Sequence, residues 1–221
     1  GSNQGALNCR LVGEYPILAP PLPEQRKIAE ILSTWDEAIA KTEQLIAALQ
    51  VRKKGLMQRL LNSDVRFEGF DGDWNELPIG KLLKEVKRPT KWDDEEIYNL
   101  ISVRRRSGGL FLRESRKGSE IKTKNMNVAL AGDFLISKMQ VVHGASGLTT
   151  QGFDGMHISG SYIALVARDM KKLDIRFFDW LSRTKFFYHQ TYLSSYGVHI
   201  EKMTFNLKDF MKRKICIHNT V

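Results

Sequence analysis

The chain has few of the residue patterns that mark secreted, membrane or cofactor-dependent proteins. Only two of its 221 residues are cysteines, Cys9 and Cys216, and a widely separated pair gives neither a disulfide framework nor a zinc site. No apolar run approaches the roughly 18 residues that cross a bilayer. The opening residues GSNQGALN lack the regions of a signal peptide. We therefore expect a cytoplasmic protein without a membrane partner, and we interpret the leading Gly-Ser as a cloning remnant.

Signatures of catalysis are equally scarce. The glycines do not form a strand, glycine-rich turn and helix unit for a nucleotide, and the five histidines stand apart in the sequence. Glu120 and Lys122 of the triplet EIK match half of a nuclease metal site, and Asp133 with Lys138 is a looser version. Such triplets arise by chance when 27% of the residues are charged. We predict no catalytic residue, metal or cofactor, and we keep a stand-alone metal-dependent nuclease as an alternative.

The chain is strongly basic. Its 34 Lys and Arg residues exceed its 25 Asp and Glu residues, which gives a formal net charge of +9. A basic surface of this kind indicates a polyanionic partner, and double-stranded DNA is the first candidate.

A long helix is predicted over residues 24–62. Steps of four and three residues from Ile28 meet apolar side chains at eight of ten positions, which is the period of a coiled-coil seam. The predicted helix-pairing residues are Ile28, Leu32, Trp35, Ile39, Ile46, Leu49, Leu56 and Leu60. Two alternatives stay open. The helix packs on the domain that follows it, or the chain is a coiled-coil interaction module whose basic charge is incidental.

A domain boundary is predicted near Asn62, where glycine, aspartate and asparagine begin to punctuate short apolar segments. Residues 63–221 are predicted to form a mixed α/β domain with a twisted mixed sheet, and residues 1–23 a tag remnant and the closing strand of a preceding domain. The predicted strands are IYNLISV, NVALAGDFLISKM, GLTTQ and SYIALVAR. A helix is predicted over residues 174–190, and a short helix or turn followed by a strand at the end of the chain.

Three segments combine basic or aromatic side chains with glycines, as expected of loops that contact DNA. They are SVRRRSGG, SKMQVVHGASG and LSSYGVHIEKM. Arginine and lysine hold phosphates, while glutamine, tyrosine and histidine present groups to base edges. The predicted DNA-binding residues are Arg104, Arg105, Arg106, Lys138, Gln140, His143, Tyr196, His199 and Lys202. The alternatives are a solvated basic turn, core packing by Tyr196 and an ordinary strand position for Gln140.

Several of these segments together resemble one known family. PPLPEQRKIAEIL, continuing to KKGLMQRLL, is similar to the helical spacer of the DNA-specificity subunits of type I restriction-modification systems. WNELPIGKLLKEV resembles the beginning of a target recognition domain, and AGDFLISKM with GSYIAL resembles the middle of one. The resemblance covers residues 15–217, and it is strong in the helix and diffuse in the domain.

The resemblance implies a non-catalytic reader of one half of a bipartite DNA site. In that family two recognition domains alternate with two long helices that pair antiparallel, and the subunit positions methyltransferase (M) and restriction (R) subunits on DNA. S-adenosylmethionine, ATP and magnesium would then belong to the partner subunits. This chain has one such helix and one such domain, so we expect a fragment, a truncated product or a half-subunit that pairs its helix in a homodimer.

Overall fold

The computed structural model describes residues 13–70 and 72–218 and divides between Leu56 and Met57 into two compact units. The predicted fold class is confirmed: a long helix precedes a mixed α/β domain. Cys9 lies outside the described residues. Residues 13–21 make no strand pairing within the described part of the chain, so the closing strand of a preceding domain stays a prediction. None of the described helices is long and apolar enough to span a membrane.

Helix α1 (Leu22–Leu61) contains 40 residues and is about 60 Å long at 1.5 Å per residue. It begins two residues before the predicted start, with Pro23 and Glu24 in its first turn, where a missing N–H and a negative charge are both favourable. It continues through Gly55, although glycine lowers helix stability. No side chain of α1 is buried.

The second unit contains four sheets in its described residues. Strands β1 (Trp74–Pro78) and β12 (Lys214–His218) pair antiparallel. A four-stranded antiparallel sheet has the order β2-β9-β6-β7, from β2 (Leu83–Val86), β9 (Tyr162–Ala167), β6 (Phe134–Ser137) and β7 (Ser146–Leu148). A second has the order β4-β3-β8-β5, from β4 (Leu110–Lys117), β3 (Ile97–Val103), β8 (His157–Ser159) and β5 (Met126–Val128). Its β3–β8 pair is parallel, so this sheet is mixed. Strands β10 (Ser195–Tyr196) and β11 (Thr204–Phe205) form the last pair.

The helices of this unit are short: α2 (Ile79–Leu82), α3 (Ile175–Leu181), α4 (Lys185–Tyr192) and α5 (Leu207–Lys212). The single helix predicted over residues 174–190 is therefore wrong in one respect, because the chain forms α3 and α4 there. Thr184 caps α4 by accepting a hydrogen bond from the Phe187 amide at 3.2 Å. The strand predicted over NVALAGDFLISKM is likewise divided into β5 and β6 by a turn in which Gly132 has φ +92°.

The β2-β9-β6-β7 sheet is apolar on both faces, since each face contacts its own core. Phe134 and Ile136 of β6 lie in a core shared with α3, α4 and α5, where Phe134, Phe178 and Phe187 meet edge to face. Leu135, between them in sequence, lies in the core shared with the mixed sheet. This alternation follows from the two-residue period of a strand, and it explains why β6 reads as a continuous apolar run.

Candidate nucleic-acid interface

Three loops predicted to contact DNA meet at one place, which we call the loop junction: residues 104–107, 141–144 and 200–202. The Arg106 amide donates to the His143 carbonyl at 2.7 Å, and the Ser107 amide donates to the Gly144 carbonyl at 2.9 Å. The third loop contacts the first and second loops through Glu201. Its carboxylate accepts a hydrogen bond from Arg105 at 2.8 Å and lies 3.2 Å from His143 Nε2, without good hydrogen-bond geometry to the ring.

The first loop is the turn of the β3–β4 hairpin, and its conformation is tightly determined. The Arg104 amide donates to the Gly109 carbonyl at 2.9 Å, which closes the turn. Arg106 and Ser107 both have left-handed backbones, with φ values of 58° and 54°. L-residues other than glycine, asparagine and aspartate rarely adopt this region. At Gly108 an added Cβ would lie 2.8 Å from Arg104 Cβ, so the turn needs a glycine there.

The three arginines of this turn have different surroundings. The Arg104 guanidinium lies 4.3 Å from the centre of the Phe111 ring and donates to the Leu110 carbonyl at 3.3 Å. Arg105 is paired with Glu201, and both side chains are about half exposed. The exposed Arg106 side chain has no polar or aromatic partner in the described part of the chain. Arg106 is therefore the arginine most available to a phosphate.

Glu201 is the residue of the junction that sequence reasoning missed. It lies between Arg105 and His143, where its negative charge offsets that of Arg105 and repels a phosphate. Its partner Arg105 is 96 residues away in the sequence, so no local pattern connects them. The only available signal is an acidic residue inside the otherwise basic and aromatic segment LSSYGVHIEKM.

Lys138 and Gln140 support the junction from the turn that follows strand β6. Lys138 donates through Nζ to the Gly160 carbonyl at 2.6 Å, and its own carbonyl accepts from the Phe205 amide at 2.9 Å. The Gln140 side-chain oxygen is buried without a hydrogen-bond partner in the described residues. Its backbone carbonyl accepts from the His143 amide at 3.0 Å and thereby shapes the second loop.

Tyr196, His199 and Lys202 are all exposed. Tyr196 belongs to β10 and donates to the Asp209 carboxylate at 2.9 Å, and this bond raises the pKa of the phenol. Tyr196 and Lys138 line a cleft of about 690 Å³ together with Glu85 and Lys208. His199 immediately precedes the third loop and Lys202 ends it, and the Lys202 amide donates to the His199 carbonyl at 2.8 Å.

The residues considered for a nuclease site do not assemble one. Asp133 is 1% exposed and accepts both guanidinium nitrogens of Arg88, at 2.6 and 3.1 Å, which is a structural pairing. Glu120 is exposed and ends a 3₁₀ turn (Gly118–Glu120). Among residues 13–70 and 72–218 no group of three or more histidine, cysteine, aspartate or glutamate side chains is arranged to hold a metal. The nuclease hypothesis gains no support from the geometry.

The predicted helix-pairing seam is exposed along α1. Trp35 is 67% exposed, and Ile39 and Ile46 are 56% and 51% exposed. Trp35, Ala38, Ile39, Thr42 and Glu43 line an almost wholly apolar groove. A contiguous apolar surface of this kind on a helix is typical of an interaction site.

Comparisons with known proteins agree with both units. Residues 1–51 match the family model described as the type I restriction modification DNA specificity domain. A curated protein of Methanocaldococcus jannaschii, a putative type I restriction enzyme MjaX specificity subunit, is 33% identical over 97 residues, which are 44% of this chain and 21% of the relative. The resemblance to type I specificity subunits is confirmed.

The fold of the chain is also that of a solved specificity subunit. The crystal structure of the HsdS subunit from Thermoanaerobacter tengcongensis matches with a TM-score of 0.54 at 15% identity, over 70% of this chain and 39% of that one. The chain thus spans about a fifth of the curated specificity subunit and about two fifths of the solved one.

Proposed function

We propose that the chain is a non-catalytic DNA reader that recognises one half of a bipartite site within a type I restriction-modification complex. The observation that carries this proposal is the loop junction, where three loops from distant parts of the sequence, which carry the arginines 104–106, His143 and Lys202, meet on a domain with the specificity-subunit fold. Base contacts by residues on such loops specify a sequence, while arginines on phosphates position the protein.

The two units have separate roles in this proposal. Residues 24–62 are the helical spacer, which pairs with a second long helix, here that of a second copy of the chain. Residues 63–221 are the target recognition domain. M and R subunits are the proposed protein partners and supply S-adenosylmethionine, ATP and magnesium. Such a complex acts on DNA in the cytoplasm.

Selection of bound duplexes from a random pool tests the function directly. We expect the chain, assembled with methyltransferase subunits, to enrich duplexes that share a short half-site. The same selection with the three substitutions Arg104→Ala, Arg105→Ala and Arg106→Ala should recover much less DNA. A selected pool without a common sequence would refute a role in sequence recognition, and metal-dependent cleavage by the purified chain would favour the nuclease instead.

Among the three arginines, Arg106 is expected to contribute most to affinity at low salt. Each phosphate that a protein neutralises adds nearly one to the magnitude of the negative slope of log K against log[salt], which we call the salt slope. Arg106→Ala should lower that slope by about one and weaken binding to all duplexes similarly, because phosphate contacts carry no sequence information. The measurement is a titration of random duplexes at several salt concentrations.

Two matched variants complete this comparison. Arg176→Ala removes an exposed arginine that is paired with Asp174 outside the loop junction, and we expect its salt slope to equal that of the parent chain. Glu201→Gln removes the carboxylate beside Arg105 and His143, so it should strengthen binding. Equal slopes for Arg106→Ala and Arg176→Ala would show that Arg106 does not meet a phosphate.

A further inference from the structure

The unusual backbone of the β3–β4 turn is held from outside the hairpin. Ser107, the second of the two left-handed residues, shares a hydrogen bond of 2.7 Å between its Oγ and the hydroxyl of Tyr188. Tyr188 lies 81 residues away on α4. The Ser107 amide also donates to the Gly144 carbonyl at 2.9 Å, so both ends of this residue are fixed by other segments.

Gly144 lets Tyr188 reach the turn. A Cβ built on Gly144 would lie 2.1 Å from the Tyr188 hydroxyl oxygen, which no side chain tolerates, and Gly144 has φ +74°. The left-handed backbone and the close approach of the phenol therefore both disfavour any other residue at this position. The glycine joins the second loop of the junction to the same hydroxyl that holds the first.

Tyr188 is itself firmly placed. Its ring is partly buried against the core that contains Phe134, Phe178 and Phe187, and its amide donates to the Thr184 carbonyl at 3.2 Å in the first turn of α4. The phenol consequently offers Ser107 a partner that is fixed to the core of the domain.

We propose that Tyr188 is a positioning residue for DNA binding: it holds Ser107, and through Ser107 it holds Arg106 in the orientation that meets the DNA backbone. This inference rests on the proposed function. The Arg106 side chain has no partner of its own in the described residues, so only the backbone of the turn sets the direction of its Cα–Cβ bond and the side from which it can reach DNA. A group that is oriented before binding loses less conformational freedom when the complex forms.

The test compares hydroxyl deletions in the full chain. Tyr188→Phe keeps the ring in the core and removes only the partner of Ser107. We expect it to weaken binding to random duplexes about 3- to 10-fold, the range of one lost neutral hydrogen bond, and to lower the salt slope. Ser107→Ala should act similarly. In a chain that already carries Arg106→Ala, Tyr188→Phe should change the affinity less than 2-fold, because the group that it orients is gone.

A matched control separates positioning from general damage. Tyr162→Phe removes the same kind of hydrogen bond, 2.6 Å long and to Ser102, outside the loop junction, and it should leave both affinity and salt slope unchanged. Thermal melts of all variants accompany the titrations. Failure of the parent chain to bind DNA, both alone and assembled with methyltransferase subunits, would refute the proposed function itself. If the parent chain binds, the positioning role is overturned by Tyr188→Phe binding like the parent, by Arg106→Ala having no effect, or by Tyr188→Phe weakening the Arg106→Ala chain as much as it weakens the parent.

Discussion

Replacement of Arg88 by methionine is expected to destabilise the second unit by about 2 to 4 kcal/mol. Asp133 is 1% exposed, and Arg88 neutralises it through two hydrogen bonds of 2.6 and 3.1 Å. Removal of one partner of a buried ion pair leaves an uncompensated charge, which typically costs about 3 to 5 kcal/mol. The expected loss is smaller here because the Arg88 side chain is 32% exposed and water screens the pair in part.

The position of this ion pair explains why its loss affects the whole unit. Arg88 follows β2, and Asp133 immediately precedes β6, two strands of the same antiparallel sheet. The Arg88 carbonyl also accepts from the Val128 amide at 2.8 Å, and Val128 belongs to the mixed sheet. The pair therefore lies where the two four-stranded sheets are connected.

Urea unfolding of three variants measures the effect. Arg88→Met alone should show the full loss. The double variant Arg88→Met with Asp133→Asn should recover most of it, since asparagine is neutral and its amide oxygen can still accept from the Leu130 amide, as Asp133 does at 2.9 Å. Arg176→Met breaks an ion pair whose arginine is 77% exposed, so it should change stability by less than about 0.5 kcal/mol. A double variant that is no more stable than Arg88→Met would mean that the buried charge is not the cause.

Much of the fold was predictable because its signals are local. The seam of α1 repeats over ten positions, so the helix could be placed to within two residues of its observed start. Strand β3 coincides with the predicted IYNLISV, since four of its five apolar residues are β-branched or aromatic and charged residues flank them. The break between α3 and α4 was missed because Ser182 and Thr184 interrupt an aromatic pattern that keeps its helical spacing on both sides.

For the candidate interface, the sequence predicts the individual loops but not the contacts between them. The segment SVRRRSGG identifies a basic turn from its glycines and charge, but it does not show that the three guanidiniums have different neighbours. Those neighbours, Phe111 for Arg104 and Glu201 for Arg105, depend on hairpin register and on contacts between distant segments. The role that we propose for Tyr188 has the same origin, because its partner Ser107 lies 81 residues away.

Substitution of both Ile39 and Ile46 by aspartate is expected to convert a helix-paired dimer into monomers. The two side chains are 56% and 51% exposed on a helix that buries none of its residues, and a second helix on this seam would cover them. A buried isoleucine contributes roughly 1.5 to 3 kcal/mol. Each of the two helices carries both substitutions, so the dimer loses the burial of four isoleucines. Its dissociation constant should therefore rise by about four orders of magnitude or more.

Sedimentation equilibrium at micromolar concentrations compares the parent chain with this double variant and a matched control. Gln44→Asp with Val51→Asp adds the same two charges at the same seven-residue spacing, but on the side of α1 away from the seam, where Val51 is 73% exposed. This control should remain dimeric, because neither aspartate would face the second helix. A parent chain that stays monomeric at tens of micromolar would refute pairing between two copies. Equal dissociation of both double variants would show that charge or lost helix propensity, rather than the seam, governs association.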